Sequence, residues 1–459
     1  MNRLRWKERV GRSALLRHAF AVGSGVSARA RLLRGRPFHA LKRLLHAWKH
    51  LGSAGLGARR TALTRRLIDQ GTRDESGELL PVAKNRLRAE FVASDRARAL
   101  RALYGAFPPE HRGRLRHPRP DPDPERQGDL VILKRPDAAT GEKGVLLVMY
   151  HEGIEAFAAC FDLSTLAPHW QLVLETSNWG AQEWRLLPYL GSDLDVVVLV
   201  PIAADFAFVE SLRSNLTPSR VGSGMFVDPA VFQAKPAGEP FLHDVVMVAS
   251  WDRLKRHEAL FGALAQARRR GTDLATCLIG VPGDRTRNDV LALATEAGVR
   301  DLITLHERIP HAEVARLVAR SKVSVLLSRQ EGSNRGFYEA LLCGTPAVVY
   351  SGHKGIDLDH VNAHTGRLAD DDALAEALLD VTSHRDRYDV RAWALDHVGY
   401  PAAMRGLTAT LRAQALRRGR PWTHDPVAKR NAPNLRYVEP GRYREFEAAY
   451  ADLARAWIQ

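Results

Sequence analysis

The sequence predicts an α/β protein of two doubly wound domains preceded by a basic helical extension. Three observations predict it: two series of strand-length apolar runs, helical stretches between the runs, and a positive charge gathered ahead of both series. With 459 residues and 45% apolar side chains, the chain can bury two ordinary cores and an appendage, which excludes a wholly disordered protein.

The net charge of +15 belongs to one end. Residues 1–66 hold 17 Lys and Arg against the single acid Glu8, and the remainder carries 50 basic and 51 acidic residues. Within this segment, 14–20 and 40–48 set Leu, Phe and Trp at helical spacing among Arg and Lys, as in basic amphipathic helices. Leu41, Leu44, Leu45 and Trp48 either pack on the protein's own surface or lie on an anionic membrane; an Arg-rich, acid-poor transit peptide is a third reading. No nucleic-acid motif accompanies the charge, so no nucleic-acid partner is expected.

Residues 107–129 are dense in Pro, Arg, Asp and His and read as a linker, which sets the extension at 1–106. Apolar runs at 130–133, 145–150, 171–175 and 196–200 then define a first domain over 130–239 with a parallel sheet. After the turn-rich DPAVFQAKPAGEP come runs at 245–249, 275–280, 302–306, 323–328 and 347–350, giving a second domain over 240–400 and leaving 401–459 as a helical tail. Two such domains leave a cleft between the C-terminal ends of their strands.

Cys160, Cys277 and Cys343 are scattered, so neither a disulfide framework nor a metal knuckle is expected. No apolar run is long enough to cross a membrane and no signal-peptide core is visible, which points to a cytoplasmic protein, peripheral on the inner membrane face if the extension binds lipid. Acid pairs at Asp121 and Asp123, Asp193 and Asp195, and Asp357 and Asp359 have Asp-x-Asp spacing, but acids two apart arise often by chance, and no metal site is assigned.

The chemistry concentrates in 322–350, KVSVLLSRQEGSNRGFYEALLCGTPAVVY. A strand at 323–328 runs into a polar loop. A helix then starts near Ser333 or Asn334, both good caps, and stops at Gly344. Free N–H groups and the positive end of the helix dipole make that loop an anion site fit for a diphosphate. Glu331 lies in the loop and Glu339 eight positions on; carboxylates accept paired hydroxyl bonds, which suits sugar and ribose diols. Spacing alone favours the plainer reading, Glu331 as a dipole-favoured acid at the helix start and Glu339 as a solvated surface residue.

Residues 245–380 resemble the nucleotide-sugar domain of retaining GT-B glycosyltransferases of the large family 4. The resemblance rests on Glu331-GSNRGFY-Glu339 followed by ALLCGTPAVV, on VVMVASWDRLKRHEALFGALA with Lys255 at the family's phosphate-binding Lys, and on HTGRLADDDALAEAL. It implies the GT-B fold, two Rossmann-like domains facing a cleft, and metal-independent sugar transfer. No cofactor is permanently bound; the nucleotide-sugar is a co-substrate, and a glycan or lipid-linked molecule is the acceptor.

It further implies Glu331 and Lys255 as catalytic residues, with Glu339, Gly332, Ser333, Asn334, Arg335 and Arg253 contacting the donor. Ser333-Asn334 stands where most members have Phe-Gly. Ser250 stands at the family's Arg, so Arg253 or Arg256 is expected to supply the second phosphate charge. In the first domain His151 and Gly153, placed in a loop after the 145–150 strand, are candidates for acceptor or donor contact, and 177–179 for the acceptor pocket. The alternative function is a catalytically inactive GT-B-like protein that binds membrane or nucleic acid through its basic arm.

Overall fold

The computed structural model describes residues 14–115, 125–176 and 180–458. Asp121, Asp123 and 177–179 lie outside the described residues.

The first sheet contains β1 (Leu130–Lys134), β2 (Gly144–Met149), β3 (Trp170–Glu175), β4 (Asp195–Leu199) and β5 (Leu216–Ser219) in consecutive order. β2 to β5 run parallel and β1 joins antiparallel at the edge. A short turn between β1 and β2 permits this, whereas each later strand follows a crossover. The free edge of β1 is closed by two tyrosines: Ile132 N donates to Tyr450 Oη at 3.0 Å, and Tyr437 Oη donates to Ile132 O at 2.8 Å.

The second sheet holds β6 (His243–Val248), β7 (Thr276–Gly280), β8 (Ile303–Glu307), β9 (Ser321–Leu326), β10 (Ala347–Tyr350) and β11 (Gly366–Ala369). Its order is β11-β10-β9-β6-β7-β8, parallel throughout, with the order reversing between β6 and β9. The pleat sorts neighbouring residues into separate cores: Val245 and Met247 pack with the helices His257–Arg269 and Leu374–Ser383, and Val246 packs on the opposite side with Phe337 and Leu341. Helices therefore cover both faces, and ligands of such sheets bind at the reversal point.

The extension is a set of helices, Ala14–Leu33, Pro37–Leu56, Ala58–Thr72, Arg86–Val92 and Asp95–Gly105, joined to the first domain. Phe38 meets Trp184 edge-on at 5.5 Å, Trp48 meets Phe208 at 5.6 Å, and Lys49 pairs with Glu183 at 2.5 Å. Leu41, Leu44 and Leu45 are fully buried, so the second of these helices packs on the protein's own surface.

Residues 401–458 do not trail away as a tail. The helix Gly399–Arg417 returns to the first sheet, where Gln171 Nε2 donates to Gln414 Oε1 at 2.6 Å and Gln414 Nε2 donates to Val196 O at 3.0 Å. Beyond it, a short β12–β13 pair (Lys429–Arg430 with Arg436–Tyr437) carries Lys429 under β3. Among the described residues no helix is long and apolar enough to cross a membrane.

Candidate functional site

The site lies where the second sheet reverses. Behind β6 the chain turns through a 3-10 turn, Arg253–Lys255, into the helix His257–Arg269. The turn is fixed to the loop after β7 by reciprocal bonds: Asp284 N donates to Asp252 Oδ1, and Arg253 N to Asp284 Oδ1, each at 2.9 Å. Lys255 is thereby aimed at the loop after β9, where its Nζ lies 2.7 Å from Glu331 Oε2.

That loop is held from three sides. Ser328 Oγ donates to Glu331 Oε1, Asn334 Nδ2 donates to Glu331 Oε2 at 2.7 Å, and Glu331 N donates to Lys354 O at 2.8 Å. Gly355, at φ 148°, would place a Cβ 2.8 Å from the carbonyls of Glu331 and Gly332, so the turn after β10 supports the loop only as glycine. Asn334 caps the helix Arg335–Leu342 by accepting from Phe337 N at 2.9 Å, and Gly344 at φ 72° follows its end.

Glu339 is not a solvated residue. It is 8% exposed, and burial raises its carboxyl to about 7, with the Arg335 guanidinium opposing the rise. Among the described residues nothing donates a hydrogen bond to its carboxyl group, and it lines the cleft.

The cleft has a volume of about 540 Å³ and lies between the domains. Lys255, Glu331, Gly332, Ser333, Asn334, Arg335 and Glu339 all line it. From the first domain it takes Tyr150, Glu175 and Ser223, and from the C-terminal segment Asn431, none of which the sequence pointed out. Glu175 is fully buried and neutralised, with Lys429 Nζ at 2.5 Å and Asn431 Nδ2 at 3.0 Å. The domains meet at the same place: Gly224 N donates to Ser333 Oγ at 2.7 Å, and Arg335 donates to Asn431 O at 3.0 Å.

Three expectations are corrected. Arg253 and Arg256 do not line the cleft, because each has another partner. Arg253 faces Asp284, whereas Arg256 donates to Leu327 O at 3.0 Å, pairs with Asp371 and lies over the Tyr350 ring. The cations that do line it, besides Lys255, are Arg308 and Arg335. His151 and Gly153 are not in a loop, since the strand passes straight into the helix Tyr150–Cys160 through Tyr150 at φ 61°. His151 instead points into the domain, 3.1 Å from Gly180 O, and burial depresses its imidazole to about 4. Gly153 packs against Asp129.

The remaining Asp-x-Asp pairs serve the scaffold. Asp193 accepts from Val82 N, Asp195 pairs with Lys143 at 2.8 Å, and Asp357 pairs with Arg220 across the domains at 2.5 Å. Among the described residues no group of three metal-ligating side chains is found.

Residues 235–391 match the family model described as Glycosyl transferases group 1. D-inositol 3-phosphate glycosyltransferase of Arthrobacter sp. (strain FB24) is 28% identical over 233 residues, covering 49% of this chain and 51% of that protein. The chain therefore spans about half the length of this curated relative. Among solved structures, sucrose-phosphate synthase of Thermosynechococcus elongatus superposes with a TM-score of 0.43 and 20% identity, over 60% of this chain and 73% of that one. Anabaena HepE in complex with UDP gives 0.46 and 15%, over 58% and 78%. Residues 235–391, within the second domain, are thus the part of the chain that carries the match to the group 1 model.

Proposed function

We propose that this protein transfers a sugar from a nucleotide-sugar to a glycan or lipid-linked acceptor with retention of the anomeric configuration, without a catalytic metal. The observation that carries the reading is the contact of Lys255 with Glu331 beside the N-terminus of the helix Arg335–Leu342, above the buried Glu339.

In this reading the diphosphate sits against the first turn of that helix, whose leading N–H groups are unpaired within it. Lys255 carries three N–H donors, so contact with Glu331 leaves capacity for a phosphate oxygen. Arg335, at the start of that helix, and Arg308 add further positive charge to the cleft. As the glycosidic bond breaks, negative charge grows on the departing diphosphate, and these prealigned groups favour the transition state over the ground state. Glu331 orients the donor sugar through its hydroxyls, and Glu339 receives the ribose diol. The acceptor approaches from the Tyr150 and Glu175 wall, on the face the leaving group vacates, so no enzyme nucleophile is required.

The relative from Arthrobacter bears a name for transfer to an inositol phosphate, and HepE was solved with UDP; a UDP-sugar donor and a hydroxylated, phosphate-bearing acceptor are accordingly the first to assay. Incubating purified protein with donor and acceptor, and reading the product's anomeric configuration by NMR, tests the proposal. Inversion at the anomeric carbon, or no transfer from any nucleotide-sugar, contradicts it.

A further inference from the structure

We propose that the outer face of the helix Ala14–Leu33 lies on an anionic lipid surface. This stands independently of the sugar-transfer reading, since it concerns a face remote in sequence from every cleft residue.

The helix has two unlike sides. Ala21, Ser24 and Ala28 are buried against the helix Pro37–Leu56, to which it is joined by a tight turn at Gly35, φ 64°. On the opposite side Leu15, Val22, Val26 and Leu33 stand in solvent, at 80%, 37%, 63% and 90% exposure. Their separations of 7, 4 and 7 residues are about two, one and two helical turns, so the four side chains form one stripe along the helix. A helix that only covered the domain beneath it would turn polar residues outward. This one packs Phe20 and Leu32 against the core and still leaves two Leu and two Val outward.

Charge selects the occupant. No acid occurs between Glu8 and Asp69; Arg29 is exposed beside the stripe, and Arg17 and Arg34 are exposed toward the two ends of the helix. None of the three is in an ion pair among the described residues. A second copy of the chain would bring these cations against their own kind with no carboxylate in the helix to answer them. A surface of anionic headgroups answers them, while the Leu and Val side chains enter the acyl boundary. The neighbouring helix fixes the orientation: Phe38, Trp48 and Lys49 fasten it to the first domain, so a bound stripe anchors the domain that supplies the Tyr150 and Glu175 wall.

The test uses the full chain with vesicles of phosphatidylglycerol and phosphatidylcholine in equal parts, against phosphatidylcholine alone, read by flotation. Wild type is expected to float with the anionic vesicles and to be released by salt, with at least about tenfold weaker partitioning to neutral ones. The combined L15S/V22S/V26S/L33S variant is expected to lose about tenfold or more, and R17Q/R29Q/R34Q to lose binding together with its salt dependence. Melting temperatures check folding; if the fourfold variant does not fold, V26S and L33S singly carry the comparison. Absence of wild-type flotation, or unchanged flotation of the stripe variants, overturns the proposal. So does a wild-type dimer in lipid-free solution that the stripe substitutions dissociate, because the occupant is then a second copy.

Discussion

Lys255 and Glu331 come from loops after different strands, 76 positions apart, and meet at 2.7 Å on the reversal point of the second sheet. The contact settles a local conflict in the sequence. WDRLKRHE sets three cations at a helix start, where the dipole disfavours them. Each cation has a protein partner: Arg253 has Asp284, Lys255 has Glu331, and Arg256 has Asp371.

Lys255→Ala therefore has two consequences. Glu331 keeps its bonds from Ser328 and Asn334 but loses its cation, which should cost about 1–2 kcal/mol of stability. Turnover should fall by about 10²–10³-fold, as for removal of one prealigned donor at a developing oxyanion. Denaturant unfolding and single-turnover transfer on one preparation check both, and a variant that is destabilised yet transfers normally makes Lys255 structural.

Glu331→Gln should separate the sugar from the nucleotide. The amide retains an acceptor but lacks the charge that strengthens bonds from sugar hydroxyls. The nucleoside diphosphate alone should bind the variant within about threefold of wild type, while the intact donor loses about tenfold or more, as expected for one lost charge-assisted hydrogen bond of about 1.5–3 kcal/mol. Calorimetric titration of both ligands decides it; equal losses for the two place Glu331 elsewhere.

Glu339 should make stability and donor binding depend on pH. Its folded carboxyl sits near 7 and its unfolded one near 4.5, so in between the folded state holds the extra proton. Stability thus falls as pH rises from about 4.5 to about 7, by roughly 3 kcal/mol, and levels off above. Glu339→Gln should lack that decline. A ribose diol donates to the ionised form, so affinity for an intact nucleotide-sugar should rise about tenfold between pH 6 and 8 in wild type and stay flat in the variant.

The domain seam offers a steric test. A Cβ at Gly224 would lie 2.7 Å from Ser333 Oγ and 2.9 Å from Ser333 O. Gly224→Ala should hold the domains apart at the cleft, lowering turnover by about tenfold or more, since small misplacements at a site are costly. Nucleotide binding, which the second domain supplies, should change less. Comparing KM with kcat reads this directly.

The second domain was legible because its information is local. Five of its six strands stand out as apolar runs, and the sixth, Gly366–Ala369, was visible through the family resemblance of HTGRLADDDALAEAL. Asn334 and Gly344 mark the ends of the site helix in the sequence itself. The first domain was less legible. β5 reads LTPS, an edge strand with a proline that no apolar pattern betrays. His151 was expected in a loop because nothing in YHEGIEAF announces that Tyr150 itself takes the left-handed turn. Glu175 ends an apolar run, a hint that could have been read. Asn431 could not, since it reaches the cleft only when the helix Gly399–Arg417 has crossed back to the first sheet.

The central claim, that a nucleotide-sugar is held by Lys255, Glu331 and Glu339 together, is tested most directly by thermal shift. A panel of nucleotide-sugars is screened on wild type, and the best donor is then titrated against Lys255→Ala, Glu331→Ala and Glu339→Ala. Binding to the folded state raises the melting temperature in proportion to RT ln(1 + [L]/Kd), so a clear rise is expected in wild type and its collapse in all three variants. A donor that stabilises the three variants as much as wild type would contradict it.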